Sequence, residues 1–405
     1  MKRIAIFCDG TWNLSDRKES QTNVVQLAQA VKTTSSDGVK QVPLYIRGVG
    51  TGRGSNALAR ASDKWFGGIL GWGLDDNIED AYRQLIWLYE PGDEIYIFGF
   101  SRGAYTARSL AGLLRKAGIL RRSEVDRVPE AMRLYRTRGK DGHPDVAAVQ
   151  SKRAALSPDV ATSTNEFIKR ANSENPVKLL EISYLGVFDT VGALGLPGFL
   201  GMISRLTNQK YSFHDTALSS SVKAAYHAVA LDERRKTFPP SLWENLDRLN
   251  ALAQRQEPAY RQIWFAGDHG SIGGGGDVVG LSAFTHDWIA KGAIAQGLDM
   301  DEEMLQRRVQ RCRVADVVNN KKQGILGKFA FLLKDREGPR FAAHVHESVL
   351  AKILLGARND GGPYRPASLA QVWNDLPGLL PPQGPGDGSP PPLDDEDDEI
   401  TPQPS

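Results

Sequence analysis

The sequence predicts an α/β fold: a mostly parallel central sheet with helices on both faces and helical or loop insertions. Three observations predict it. Short apolar, β-rich runs alternate with segments of helical spacing, strand–helix–strand–helix–strand–helix, over residues 3–115. Further apolar runs downstream each end in a loop that carries a carboxylate or a histidine. One strand-to-helix junction carries Gly99-Phe100-Ser101-Arg102-Gly103, the G-x-S-x-G pattern in the context that gives it meaning.

Taken in order, Arg3–Cys8 is a short buried-type strand that runs into Asp9-Gly10-Thr11-Trp12-Asn13. Val24, Val25, Leu27, Ala28 and Val31 recur at helical spacing, so 23–32 is a helix. Gln41–Arg47 is the next strand and leads into the turn-rich loop 48–54. A helix over 74–89 gathers Ile78, Ala81, Tyr82, Leu85, Ile86 and Tyr89 on one face. Glu94–Phe98 alternates as a strand, and 109–115 continues past the serine with helical spacing. A charged helix is expected over 124–138, and 143–175 is polar, so about 120–176 reads as an insertion. Strands are expected over 177–188, 222–231 and 261–266, then a permissive loop at Gly273–Gly276 and a helix over 281–295. This makes 1–375 one catalytic domain, followed by a Pro/Gly-rich, acidic and disordered tail over 376–405.

At 405 residues the chain fits a single large α/β domain with insertions. Seven acidic and no basic residues fall in 377–405; the remainder carries 41 acidic against 50 basic side chains, a formal +9. Such an excess could attract a phospholipid surface or nucleic acid. A scattered, solvated surface explains most of it, so peripheral membrane contact is kept and no nucleic-acid partner is assigned. Two cysteines, Cys8 and Cys312, far apart in sequence, give neither a disulfide framework nor metal-type spacing. No metal or cofactor is expected. The apolar run Ile4–Cys8 is too short for a signal-peptide core, and no stretch approaches the ~20 apolar residues of a membrane span. The expectation is a protein cytoplasmic as synthesised, with any export left to a dedicated machine.

The chemistry follows from the serine. A serine on a sharp strand-to-helix turn exposes its hydroxyl at the top of the sheet, and crowding makes the positions two before and two after it small. Gly99 and Gly103 meet that demand, and the following helix aims its positive end at a developing oxyanion. Acyl transfer then needs a base and a carboxylate downstream. His269 follows a convincing strand and opens a glycine-rich loop, whereas His227 lies within a strand as a core histidine would. Asp189 ends an apolar strand and is the favoured acid; Asp232 and Asp268 are its rivals, Asp268 the weaker because neighbours on an extended segment point apart. The Arg102 backbone N–H, with Gly10 or Thr11, would hold the oxyanion. Asp9, Trp12, Leu194 and Phe199 are candidate substrate-contacting residues in motif loops. The apolar segments 65–74 and 194–203 could line an acyl pocket, and 325–334, with Arg307, Arg308, Lys321 and Lys322 near it, could lie at a lipid interface. Two other motifs fail. Asp9 lacks the partner aspartate of a haloacid-dehalogenase-type phosphatase, because position 7 is Phe. Arg53 stands where the third glycine of a G-x-G-x-x-G nucleotide loop belongs.

With these residues in hand, the chain resembles the bacterial α/β-hydrolase domain family of type VI secretion phospholipase effectors. The matching runs are CDGTWN at 8–13, GVGT at 48–51, GFSRGAYTAR at 99–108, GVFDTVGA at 186–193, ALDERR at 230–235, WFAGDH at 264–269 and YRP at 364–366. The resemblance implies a Ser101, Asp189, His269 triad, hydrolysis of phospholipid acyl esters, and a secretion-apparatus or immunity partner. It departs from the family pattern at Ser271, where many relatives carry an aspartate. A soluble esterase or thioesterase on small acyl substrates, or a catalytically silent interaction module, is the alternative.

Overall fold

A computed structural model describes residues 1–10, 21–48, 72–171, 176–192, 217–276, 278–318, 333–356, 358–359 and 362–378. Its centre is a six-stranded sheet of β1 (Lys2–Cys8), β2 (Lys40–Ile46), β3 (Glu94–Phe100), β4 (Ile182–Phe188), β5 (Ala225–Ala230) and β6 (Tyr260–Phe265). The order is β2-β1-β3-β4-β5-β6 and every neighbouring pair is parallel. Parallel strands need a crossover each, so both faces are covered and the central strands are buried on both sides. All seven residues of β4 are buried, as are six of seven in β3.

The pleat sends alternate β3 residues to opposite layers. Gly99 faces α3 (Arg102–Ala117): a Cβ there would lie 2.6 Å from the Ala104 Cα. Phe98 faces the other layer, stacking on Phe7 at 4.7 Å and approaching Tyr184, whose hydroxyl donates to the Ile289 carbonyl at 3.0 Å. The α3 layer holds α2 (Trp72–Leu88) and α4 (Val128–Arg136); the opposite layer holds α1 (Asn23–Ala30), α9 (Gly280–Ile294) and α10 (Glu302–Val309).

The expected strand over 177–188 is two pieces. Ile182–Phe188 joins the sheet, while Lys178–Leu179 pairs with Val160–Ala161 in a separate two-residue ladder. An apolar run records burial, and cannot record where the chain changes partner. The charged helix starts later than expected, at Val128 after a 3-10 stretch over 122–127, with Pro129 in its first turn. The polar segment expected as an insertion carries α5 (Ala147–Leu156) and α6 (Thr164–Ala171), clasped by Arg153, whose Nη2 donates to Glu166 at 2.7 Å with both side chains buried. Between β5 and β6 lies α7 (Leu246–Ala253).

The chain's later part forms a second apolar cluster on the ends of β5 and β6. Val229, Leu231 and Trp264 pack there with Val349, Tyr364, Leu369, Val372 and Leu376. The His346 N–H donates to the Trp264 carbonyl at 3.0 Å, fixing this segment against β6. That packing returns the chain to the sheet's carboxyl edge, where the loops converge. No helix among the described residues is long and apolar enough to cross a membrane.

Candidate active site

Ser101 follows β3 directly and takes the N-cap position of α3, with φ 58° and ψ −122° and no side-chain capping bond. Among the described residues only three non-glycine positions take positive φ: Ser101, Asp189 at 36° and Gln254. Such conformations cost on the order of 1–3 kcal/mol each and persist where the surroundings over-determine them. Here they do. The Ser101 N–H donates to the Phe188 carbonyl at 3.0 Å, and the Asp189 N–H to the Ala228 carbonyl at 2.7 Å. A Cβ on Gly103 would lie 2.6 Å from the Cys8 carbonyl carbon and nearer still to the Cys8 and Asp9 oxygens, so only glycine lets β1 abut the serine turn.

The structure brings Ser101, His269 and Asp189 together. Ser101 Oγ is 2.8 Å from His269 Nε2, and His269 Nδ1 is 2.6 Å from Asp189 Oδ2, with all three side chains buried. His269 opens a short helix, α8 (His269–Gly273), rather than the loop expected, because Asp268 accepts from the Ser271 N–H at 2.8 Å and caps it. The imidazole sits between Phe100, 4.7 Å away, and the edge-on Phe238 at 5.0 Å. Its backbone N–H donates to Glu233 Oε2 at 3.3 Å.

Of the three carboxylates open to the sequence, Asp189 meets the imidazole. Asp268 is the helix cap, and Ser271 Oγ lies 2.9 Å from its Oδ1. Asp232 accepts from the Gly267 N–H at 2.6 Å and the Tyr364 hydroxyl at 2.8 Å; burial, opposed by those donors, raises it to about 6. His227 is a core histidine. Its Nε2 accepts the Thr190 N–H at 3.2 Å, Nδ1 faces Gln262 Oε1 at 3.0 Å, and burial lowers it to about 3.

One residue was not legible in the sequence. Arg336 reaches Asp189 with both arms, Nη1 to Oδ1 at 2.6 Å and Nη2 to Oδ2 at 3.0 Å, and also donates to the Ala230 and Phe238 carbonyls at 2.8 Å each. The Ala230 N–H is the second donor to Asp189 Oδ1, at 3.0 Å. Burial alone would push Asp189 up; the Arg336 charge and the His269 hydrogen bond outweigh it and hold the carboxyl well below the usual range. Arg336 stands in a charged run, Lys334–Glu337, that reads locally as solvated surface.

The remaining candidates divide. Arg102 begins α3, so its N–H belongs to the first turn, where helices leave donors without an internal acceptor. The Gly10 N–H is engaged by Asp9 Oδ1 at 2.6 Å. The Asp9 carboxylate also accepts from Thr22 at 3.0 Å and Tyr45 at 2.7 Å, which makes it an anchor of the loop after β1. Thr11, Trp12, Leu194 and Phe199 lie outside the described residues, as do loop 49–54, 65–71, 194–203, 319–332 and the tail from 379.

A parallel α/β sheet thus presents serine, imidazole and buried carboxylate in one hydrogen-bonded line at the carboxyl ends of its strands. The chain is a member of the family described as T6SS phospholipase effector Tle1-like, catalytic domain, whose model matches residues 2–292. It is 30% identical over 245 residues to an uncharacterized protein of Saccharomyces cerevisiae, covering 58% of this chain and 32% of that one. Among solved structures it is similar to an uncharacterized protein from Pseudomonas aeruginosa: 18% identity, TM-score 0.39, 75% of this chain and 47% of that one. It is also similar to the Tle1 effector bound to the VgrG spike of a type 6 secretion system: 18% identity, TM-score 0.32, 67% of this chain and 51% of that one. The chain thus spans about a third of the curated relative and about half of each solved chain. Arg336 lies beyond the segment that the family model matches.

Proposed function

We propose that the protein is a serine hydrolase that cleaves carboxylic esters of phospholipids, a phospholipase A or lipase type of enzyme, through an acyl-enzyme on Ser101. The line from Ser101 Oγ to His269 Nε2 to Asp189 is the observation that carries this reading. With Asp189 accepting from Nδ1–H, Nε2 keeps its lone pair and takes the serine proton as Oγ attacks the ester carbonyl. The oxyanion forms at the amino end of α3, where the Arg102 N–H and the helix dipole favour it. The second donor is expected from the Gly10 or Thr11 N–H, and in this conformation the Gly10 N–H is engaged by Asp9 Oδ1. The imidazolium then returns its proton to the leaving alcohol, and water, deprotonated by the same nitrogen, releases the fatty acid and restores Ser101.

Phospholipid as substrate rests on membership of a phospholipase effector family. A fluorophosphonate probe should label wild type and not Ser101→Ala, and Ser101→Ala should lower kcat by at least about 10⁴-fold. Equal labelling of both would remove Ser101 as nucleophile. Activity on short nitrophenyl esters but none on phosphatidylcholine micelles would leave the esterase and remove the lipase. Export by a secretion machine, with a spike or immunity partner, is the corresponding reading of the family.

A further inference from the structure

A cavity of about 430 Å³ lies between α1, α9 and α10, and none of Ser101, Asp189 and His269 lines it. Gln26 and Gln29 come from α1, His286 from α9, Arg307 and Arg308 from α10, and Arg311 from just beyond it. No Asp or Glu is among the described residues of its wall.

The cation at its inner side is Arg308, which is 4% exposed. Its Nη2 donates to two neutral acceptors, Asn23 Oδ1 at 3.0 Å and Ser282 Oγ at 2.8 Å. Nε and Nη1 are shielded from solvent and have no partner among the described residues. Leaving a buried donor unsatisfied is unfavourable, and more so for a charged group, so a guanidinium with two idle N–H groups and no counter-charge among the described residues is an unmet demand for an anion. Burial, and next the charge of Arg311, lower Arg308 to about 10, so it stays protonated near neutrality. His286 is equally enclosed, and neither ring nitrogen has a partner among the described residues. Burial and then the Arg308 charge lower His286 to about 3, so it is a neutral imidazole with an N–H to give. Arg307 and Arg311 are exposed at the mouth; the Arg307 guanidinium is 3.6 Å from Glu303 in a solvated pair of small energetic weight.

We propose that this cavity binds a phosphate group, gripped from within by Arg308 and at the mouth by Arg311 and Arg307. Guanidinium forks match phosphate oxygens in pairs, and three cations, of which only Arg307 has a described carboxylate near it in the solvated pair with Glu303, favour a multiply charged oxyanion over a carboxylate. The volume leaves room for an organic substituent on the phosphate. Such a group arrives on a soluble molecule or as a lipid headgroup. The site stands independently of the chemistry at Ser101, although Asn23 joins the two regions: its Nδ2 donates to the carbonyl of Ile272 in α8 at 3.0 Å.

Calorimetric titration of the full chain with inorganic phosphate, in phosphate-free buffer, tests the site without any hydrolysis readout. Saturable binding is expected, weakened about tenfold or more by Arg308→Gln. Because Arg308 also ties α1 to α9, the exposed pair Arg307→Gln/Arg311→Gln is the second variant, and it should weaken phosphate binding about tenfold while melting at the wild-type temperature. Vesicles of phosphatidylcholine with phosphatidylglycerol form the other arm. Loss of vesicle binding in the double variant supports a headgroup occupant, and unchanged vesicle binding with lost phosphate binding supports a soluble one. No saturable phosphate binding by wild type, or equal binding by wild type and the double variant, overturns the proposal.

Discussion

Asp189 shows how strongly one carboxylate can be determined by its neighbours. It is fully buried, yet a guanidinium, an imidazole and a backbone N–H all converge on its two oxygens. In the proposed mechanism it stays ionised throughout the working pH range and orients His269 without taking its proton. Arg336 is a positioning residue here, acting on the reaction through Asp189. Arg336→Met should cost about 3–5 kcal/mol of stability, since it leaves a buried charge uncompensated. It should also lower kcat with KM little changed, because an Asp189 released from Arg336 no longer holds the His269 ring in line with Ser101. A merely structural arginine would lower stability and leave kcat of the folded enzyme in place. Ser101 and His269 were legible as strand-end residues in a small-residue context. The acid was legible as the favoured of three carboxylates, and Arg336 not at all, since nothing local distinguishes it from a surface charge.

The strand–turn–helix around Ser101 is a packing device before it is a catalytic one. β1 must lie against the first turn of α3, and a glycine at 103 is what allows the approach. Gly103→Ala should therefore cost about 1–3 kcal/mol or more in urea unfolding and should disturb Ser101 as well. Gly112→Ala, one face further along α3, is the control. Its Cβ would meet only the edge of the Tyr135 ring at 3.3 Å, and alanine's helix preference offsets that contact, so stability should stay within about 1 kcal/mol of wild type. Equal losses for both would show that helix propensity rather than contact with β1 governs position 103. At this scale the periodicities were informative: the sheet strands and the main helices fall where alternation and helical spacing put them. The break between Lys178–Leu179 and β4, and the helical turn at His269, were not, because both depend on partners far along the chain.

Across the whole molecule, buried histidines set the response to acid. His227 and His286 are lowered to about 3, and His346 to about 4, in each case chiefly by burial. Between about pH 6.5 and 3 the unfolded chain takes up protons that these folded histidines refuse, so stability falls as pH falls through that window. Asp232 works the other way between about 6 and 3.8, since its raised folded pKa makes the native state bind the proton first, and Asp268, raised by burial, joins it. Three histidines oppose these two carboxyls, so the melting temperature should drop below pH 6.5, and His227→Gln should make the slope shallower. A flat profile over that range would contradict the burial described here. The sequence by itself determined the α/β architecture, the serine turn and the short set of strand-end residues around it, because two- and 3.6-residue periods and the need for small residues at a tight turn act over neighbouring positions. Only the tertiary structure decided which carboxylate faces the imidazole, and that Arg336, 147 residues after Asp189, would close around it. Contacts across that distance depend on how the second apolar cluster seats the returning chain on the ends of β5 and β6, which no local pattern encodes.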